Sequence, residues 1–106
     1  MPKYLLQASY TTEGVKGLLK DGGTKRRAAV EELARSLGGR VEALYFSFGD
    51  TDAFTIIDLP DSVSAVAASL VVNAGGAVRL KTNVLLTPEE MDQAAKKKAR
   101  YRSPGR

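Results

Sequence analysis

Histidine, cysteine and tryptophan are missing from all 106 residues. Without cysteine there are no disulfides and no thiol chemistry. Without histidine as well, triads built on either residue cannot form, zinc loses its usual ligands, and haem loses its common axial partners. A general acid or base would have to be a carboxylate, a tyrosine or a lysine, and no residue is singled out as catalytic. No cofactor and no metal site are expected. There is no run of about 18 apolar residues, so no membrane span is expected. The N-terminus "MPKYLLQASY" lacks the apolar segment and cleavage site of a signal peptide. The expectation is a cytoplasmic protein.

The apolar content of 43% and charged content of 26% fit one ordinary globular domain. A chain of this size buries a modest core, and a dimer interface would add to it. The net charge of +4 belongs to one end. Residues 96–106 hold six basic side chains and no acid, leaving ten basic and twelve acidic residues for 1–95. The expected division is a domain over 1–95 and a basic, flexible tail over 96–106. Such a tail could touch phosphates. A frayed, solvated end is the simpler reading.

Periodicity predicts seven elements and one short helical turn. "KYLLQASYT" (3–11) alternates as a strand, with Tyr4, Leu6, Ala8 and Tyr10 on one face and Leu5 on the other. Thr12 can cap a short helical turn carrying Val15, Leu18 and Leu19, ended by Gly22 and Gly23. A stronger helix is predicted over 24–37, with Ala29, Val30, Leu33, Ala34 and Leu37 at helical spacing and Gly38 as its stop. Strands at 40–48 and 52–59 flank Gly49, Asp50 and Thr51, which reads as a hairpin. Asp61 is the expected N-cap of a second helix, whose buried stripe would be Val63, Val66, Ala67, Leu70 and Ala74. A fourth strand spans 77–86, with Arg79, Lys81 and Asn83 on its polar face. Thr87, Pro88 and Glu90 then make a capping box that opens a third helix.

The order β-α-β-β-α-β-α is that of an α+β, ferredoxin-like βαββαβ unit with an extra C-terminal helix. Helices would cover one face of a four-stranded antiparallel sheet. Strands two and three are apolar on both faces: Leu44, Phe46 and Phe48 oppose Ala43 and Tyr45, and Phe54 and Ile56 oppose Ile57 and Leu59. A face left to water would show cleaner alternation. A second copy packed sheet to sheet is the simplest cover.

The chain resembles the GYD domain family of small bacterial proteins. The residues that carry the likeness are Gly49-Asp50-Thr51-Asp52, Thr12 and Gly14, Lys25-Arg26-Arg27, "LGG" at 37–39, "PD" at 60–61 and "VRLKT" at 78–82. It extends over nearly residues 3–91. Thr51 stands where the family's signature has tyrosine. The resemblance implies a dimeric α/β-barrel, an assembly shared with antibiotic-synthesis monooxygenases and with the ligand-binding modules of some regulators. It implies no particular reaction, and a fold alone does not supply one.

Six residues are candidates for ligand contact: Tyr10, Arg26, Arg27, Tyr45, Asp52 and Arg79. Tyrosine suits a mostly apolar pocket with a few oriented polar groups, although packing in the core is its commoner use. Arg26 and Arg27 lie near a helix N-terminus, where free N–H groups favour anions and a guanidinium fork adds two more donors. Pairing with nearby carboxylates is the bland alternative. Asp50 and Asp52 read first as turn residues, with Asp52 the more consequential.

The function expected from all this is a homodimeric module that binds a small organic or anionic ligand or stabilises an assembly, without chemistry of its own. The alternative is a cofactor-free enzyme of the antibiotic-monooxygenase-like kind, which the lack of histidine disfavours. A nucleic-acid role through the tail is disfavoured by the balanced charge of the domain.

Overall fold

Alternation along the first strand decides which way the sheet faces. In β1 (Lys3–Tyr10), Tyr4 and Leu6 are buried, and the residues between them point to the opposite face. The computed structural model describes residues 1–47 and 49–106. β1 is central. It pairs antiparallel with β3 (Ala53–Asp58), Leu6 opposite Thr55, and with β4 (Val78–Leu85), Leu6 opposite Thr82. β2 (Arg40–Phe46) pairs with β3, giving the order β2-β3-β1-β4. A register shift between Val41 and Ala43 turns Leu44 to the same side as Thr55. Phe48, expected to extend β2, lies outside the described residues.

The sheet and helices form the ferredoxin-like α+β arrangement read from the sequence. Ala34 of α1 (Thr12–Ser36) and Ala65 of α2 (Ser62–Ala74) pack with Tyr4, Leu6, Ile57 and Leu59. Ile57 and Leu59 are fully buried. Each contributes about 2 kcal/mol by removal from water. The inner layer is otherwise rich in alanine, which lets both helices sit close to the sheet but makes the core thin.

α1 is two segments. Gly22 has φ 82° and ψ 170°, outside helical space and open only to glycine at low cost. The break expected at Gly22-Gly23 is therefore present, although the two segments follow without a loop. Thr11, not Thr12, is the N-cap. Its side chain accepts from the Gly14 N–H at 3.2 Å, while Thr12 is already helical. The cap moves because Thr11 has a second tie. Its hydroxyl donates to the Gly76 carbonyl at 2.9 Å and its N–H to that of Ala77 at 3.1 Å.

The other caps follow the sequence. Asp61 accepts from Ser64 N–H at 2.8 Å. The Thr87–Glu90 capping box opens α3 (Pro88–Lys96). The buried stripe of α2 does not follow. Val63, Val66 and Leu70 are 78%, 55% and 66% exposed, and it is Ala65 and Ala68 that face the sheet. Both sides of this helix are apolar, so periodicity could not choose between them. Close packing favours the small side chains beneath. At the far end of α2 the Asn73 side chain pairs with the open edge of β4. It accepts from the Leu80 N–H at 2.8 Å and donates to the Leu80 carbonyl at 3.3 Å.

From Leu86 to the C-terminus every residue is exposed, and α3 buries none of its own. No described helix is long and apolar enough to cross a membrane. A chain ending at Ala95 is expected to keep its melting temperature within about 3 °C of the full chain. Thermal melts followed by circular dichroism check this. A larger drop would mean that the tail docks against the body or a partner subunit.

Candidate ligand-binding site

The first segment of α1 crosses the beginning of β4 with no room for a side chain. A Cβ at Gly14 would lie 1.9 Å from the Ala77 carbonyl oxygen and 3.0 Å from the Tyr10 ring. This contact, with the Thr11 bonds, holds α1 over the end of β1. Between the two segments of α1 and the sheet it leaves a cavity of about 360 Å³. Tyr10, Glu13, Asp21, Lys25 and Arg26 bring polar groups to it. Behind this mouth lies a smaller space of about 30 Å³, lined by Leu6, Leu33, Leu44 and Leu80. That is about the volume of one water molecule in the liquid. Tyr10, Arg26 and Val78 line both spaces.

Arg26 is half-buried, while Lys25 and Arg27 on either side are exposed. Among the described residues neither Arg26 nor Arg27 is in an ion pair, so the pairing with carboxylates considered above does not hold them. Arg27 lines neither space. The break at Gly22 also starts a new helical segment just before Arg26, whose first N–H groups lack partners within it. Arg26 and Tyr10 are thus the two sequence candidates that the fold brings together.

Asp52 supports that pair from behind. Its carboxylate accepts from the Tyr10 backbone N–H at 2.8 Å. Its own N–H donates to Ala8 and its carbonyl accepts from Ser47, both at 2.8 Å. β2 ends at Phe46 and β3 begins at Ala53, so Ser47 and Asp52, expected within the strands, lie just outside the ladder. Asp50 contributes its carbonyl, which accepts from the Ser9 hydroxyl at 2.8 Å. Thr51 donates to the Gln7 side chain at 3.4 Å.

Tyr45 and Arg79 are elsewhere. Both lie on the outer face of the sheet, away from the helices, Tyr45 on β2 and Arg79 on β4. These are the two edge strands, so the residues are at least about 14 Å apart. Arg79 borders a polar depression with Gln7, Ser9, Asp50 and Lys81. Tyr45 is 73% exposed.

A family model for the GYD domain matches residues 4–95. The chain belongs to the GYD domain family. No curated protein and no solved structure matches it. Within this GYD domain the signature loop at 49–52 serves the sheet. It fixes the end of β1 through Ser9 and Tyr10, and only through Tyr10 does it bear on the cavity.

The sequence reading missed one charged cluster, at the opposite end of the sheet. Asp58 is buried, and accepts from Lys3 at 2.8 Å and from Arg40 at 3.1 Å. Lys3 also pairs with Glu42. The hydrogen bond from Lys3, helped by Arg40, holds the Asp58 carboxyl below its ordinary value of 3.8 against the opposing effect of burial. The signal was weak, because these four residues come from three strands and converge only through register.

Two predictions follow from these contacts. Asp52→Ala leaves the Tyr10 N–H without its partner and is expected to lower stability by about 1–2 kcal/mol in urea unfolding. Asp52→Asn, which keeps an acceptor, should lose less. For Asp58, a folded pKa below the unfolded one means a contribution fully present above about pH 4 and lost as the pH falls further. Asp58→Asn should flatten the decline in melting temperature on that acid side and leave little pH dependence of this origin.

Proposed function

We propose that this GYD domain is a homodimeric binding module for a small organic acid with an apolar part, held at Arg26 and Tyr10. The observation that carries this reading is that Arg26 borders both the polar mouth and the apolar recess and has no carboxylate partner among the described residues. A guanidinium placed so can take a carboxylate through two parallel hydrogen bonds while the rest of the ligand covers the Tyr10 ring. Glu13 and Asp21 on the same mouth offset Lys25 and Arg26. That balance disfavours polyanions such as nucleoside triphosphates and favours a single acidic group. The recess admits little more than a methyl-sized substituent, so the body of the ligand belongs in the mouth.

The dimer is proposed on the outer sheet face. Leu5 pairs with Ile56, which pairs with Ala43, and Phe54 pairs with Tyr45, which makes an apolar strip across three strands. Lys3, Asp58 and Glu42 border it at one end and Arg79 and Lys81 at the other. This is the pattern of an apolar centre with a polar rim. Covering the strip would remove Phe54 and Tyr45 from water and add to the small core.

Titration calorimetry with benzoate and short aliphatic carboxylates tests the binding reading. Arg26→Lys keeps the charge but loses the fork, and should weaken binding by about 1 kcal/mol or more. Arg27→Lys should leave it unchanged. Absence of saturable binding to any carboxylate, or equal losses in both variants, overturns the reading. Light scattering tests the dimer. Phe54→Asp is expected to give a monomer or an unfolded chain, and a wild-type monomer at micromolar concentration would rule the interface out.

A further inference from the structure

The side of α2 turned away from the sheet has no cover. Val63, Val66 and Leu70 recur there at helical spacing around Ala67, and they line a groove with almost no polar surface. Val71 on the flank is 66% exposed as well. No charged side chain occurs anywhere from Ser62 to Ala74. A helix with no charged residue and apolar side chains on both its inner and its outer side calls for cover on both, whereas an amphipathic surface helix turns a charged or polar face to water. The sheet-to-sheet contact proposed above cannot supply that cover, because α2 lies on the other side of the sheet.

We propose that this stripe packs against the same stripe of a second copy, helix against helix about a two-fold axis near Ala67. Three observations favour that occupant. A partner surface bearing charges would have to desolvate them against a face that offers no counter-charge, which is unfavourable. Within the chain, the outer sheet face is ringed by Lys3, Asp58, Arg79 and Lys81, and α3 carries Glu89, Glu90, Asp92 and Lys96. The α2 stripe is the surface free of them. A lipid surface would call for lysine or arginine flanking the apolar face, and α2 has neither. The stripe also complements itself. Ala67 is small enough to let two helices approach to about 8–10 Å, with the branched side chains at 63, 66 and 70 interleaving on either side.

The exposed side chains amount to several hundred Å² of apolar surface, the size at which a bare patch marks an interaction site. Paired across a two-fold axis, two such patches stay below the roughly 1,200 Å² of a stable specific interface and fall in the range of weak, transient contacts. The contact is therefore weaker than a fold-defining dimer. Joined to a sheet-to-sheet contact on the opposite face, it links dimers into larger particles. It does not depend on ligand binding at Arg26.

The absence of native cysteine makes a position-specific test simple. Ala67→Cys is expected to form a disulfide-linked dimer under mild oxidation, several-fold faster than the exposed control Glu31→Cys on α1. Sedimentation supplies the second readout. Leu70→Glu and Val66→Glu should at least halve the particle mass with melting temperatures unchanged, since neither side chain is buried in the fold. Phe54→Asp, which addresses the sheet face, should leave the Ala67→Cys crosslink intact if it folds. The proposal is overturned if Ala67→Cys crosslinks no faster than the control. It is equally overturned if neither glutamate variant lowers the mass, or if the wild-type particle binds neutral lipid vesicles through α2 in place of its own copy.

Discussion

The absence of a side chain at Gly14 allows the helix above the sheet to touch the strand beneath it. With the α carbon against the Ala77 carbonyl, Thr11 can cap α1 and bond to residues 76 and 77 at once. That junction brings the end of β1, the start of β4 and the first turn of α1 to one place. Tyr10 is the residue immediately before it, and Asp52 secures the Tyr10 backbone from the hairpin side. The mouth of the cavity owes its shape to this junction and to the break at Gly22, which brings the second segment back with Arg26 on its sheet side. Both are backbone events, and the polar residues of the site are placed by them.

The energetics of the chain favour company. Among the described residues Ile57 and Leu59 are the large side chains wholly enclosed, whereas Val63, Leu70, Tyr45 and Val84 stay more than half exposed. The inner layer between sheet and helices is built largely of alanine. This gives close packing but little apolar area per residue. A domain so arranged draws modest stability from its own interior, and its two broad faces are each better served by further burial.

Much of this was legible in the sequence, and the exceptions share a cause. The order of elements, the fold class, the caps at Asp61 and Thr87 and the inner face of β1 all follow from local patterns. Those patterns report on neighbours a few residues away. The stripe of α2 was misassigned because two apolar faces compete on one helix, and only the spacing between α2 and the sheet decides for alanine. Thr11 displaced Thr12 as cap because of Gly76 and Ala77, far along the chain. At the candidate site, Tyr10 and Arg26 line the same cavity. Arg27, one step further round the helix, points elsewhere. Tyr45 and Arg79 were separated by the order of the strands, which sequence alternation alone does not contain. The Asp58 cluster escaped notice for the same reason.

One side-chain amide has an influence out of proportion to its size. By presenting both an acceptor and a donor to Leu80, Asn73 acts as a surrogate peptide group lying alongside β4. A foreign strand approaching that margin finds the hydrogen-bonding position at Leu80, near the start of β4, already taken. Growth by strand addition, the route to fibrils, is thereby discouraged on this side of the sheet. Whatever assembly the protein undertakes is steered towards its broad surfaces, where side chains determine the match, and away from a rim where any backbone would serve.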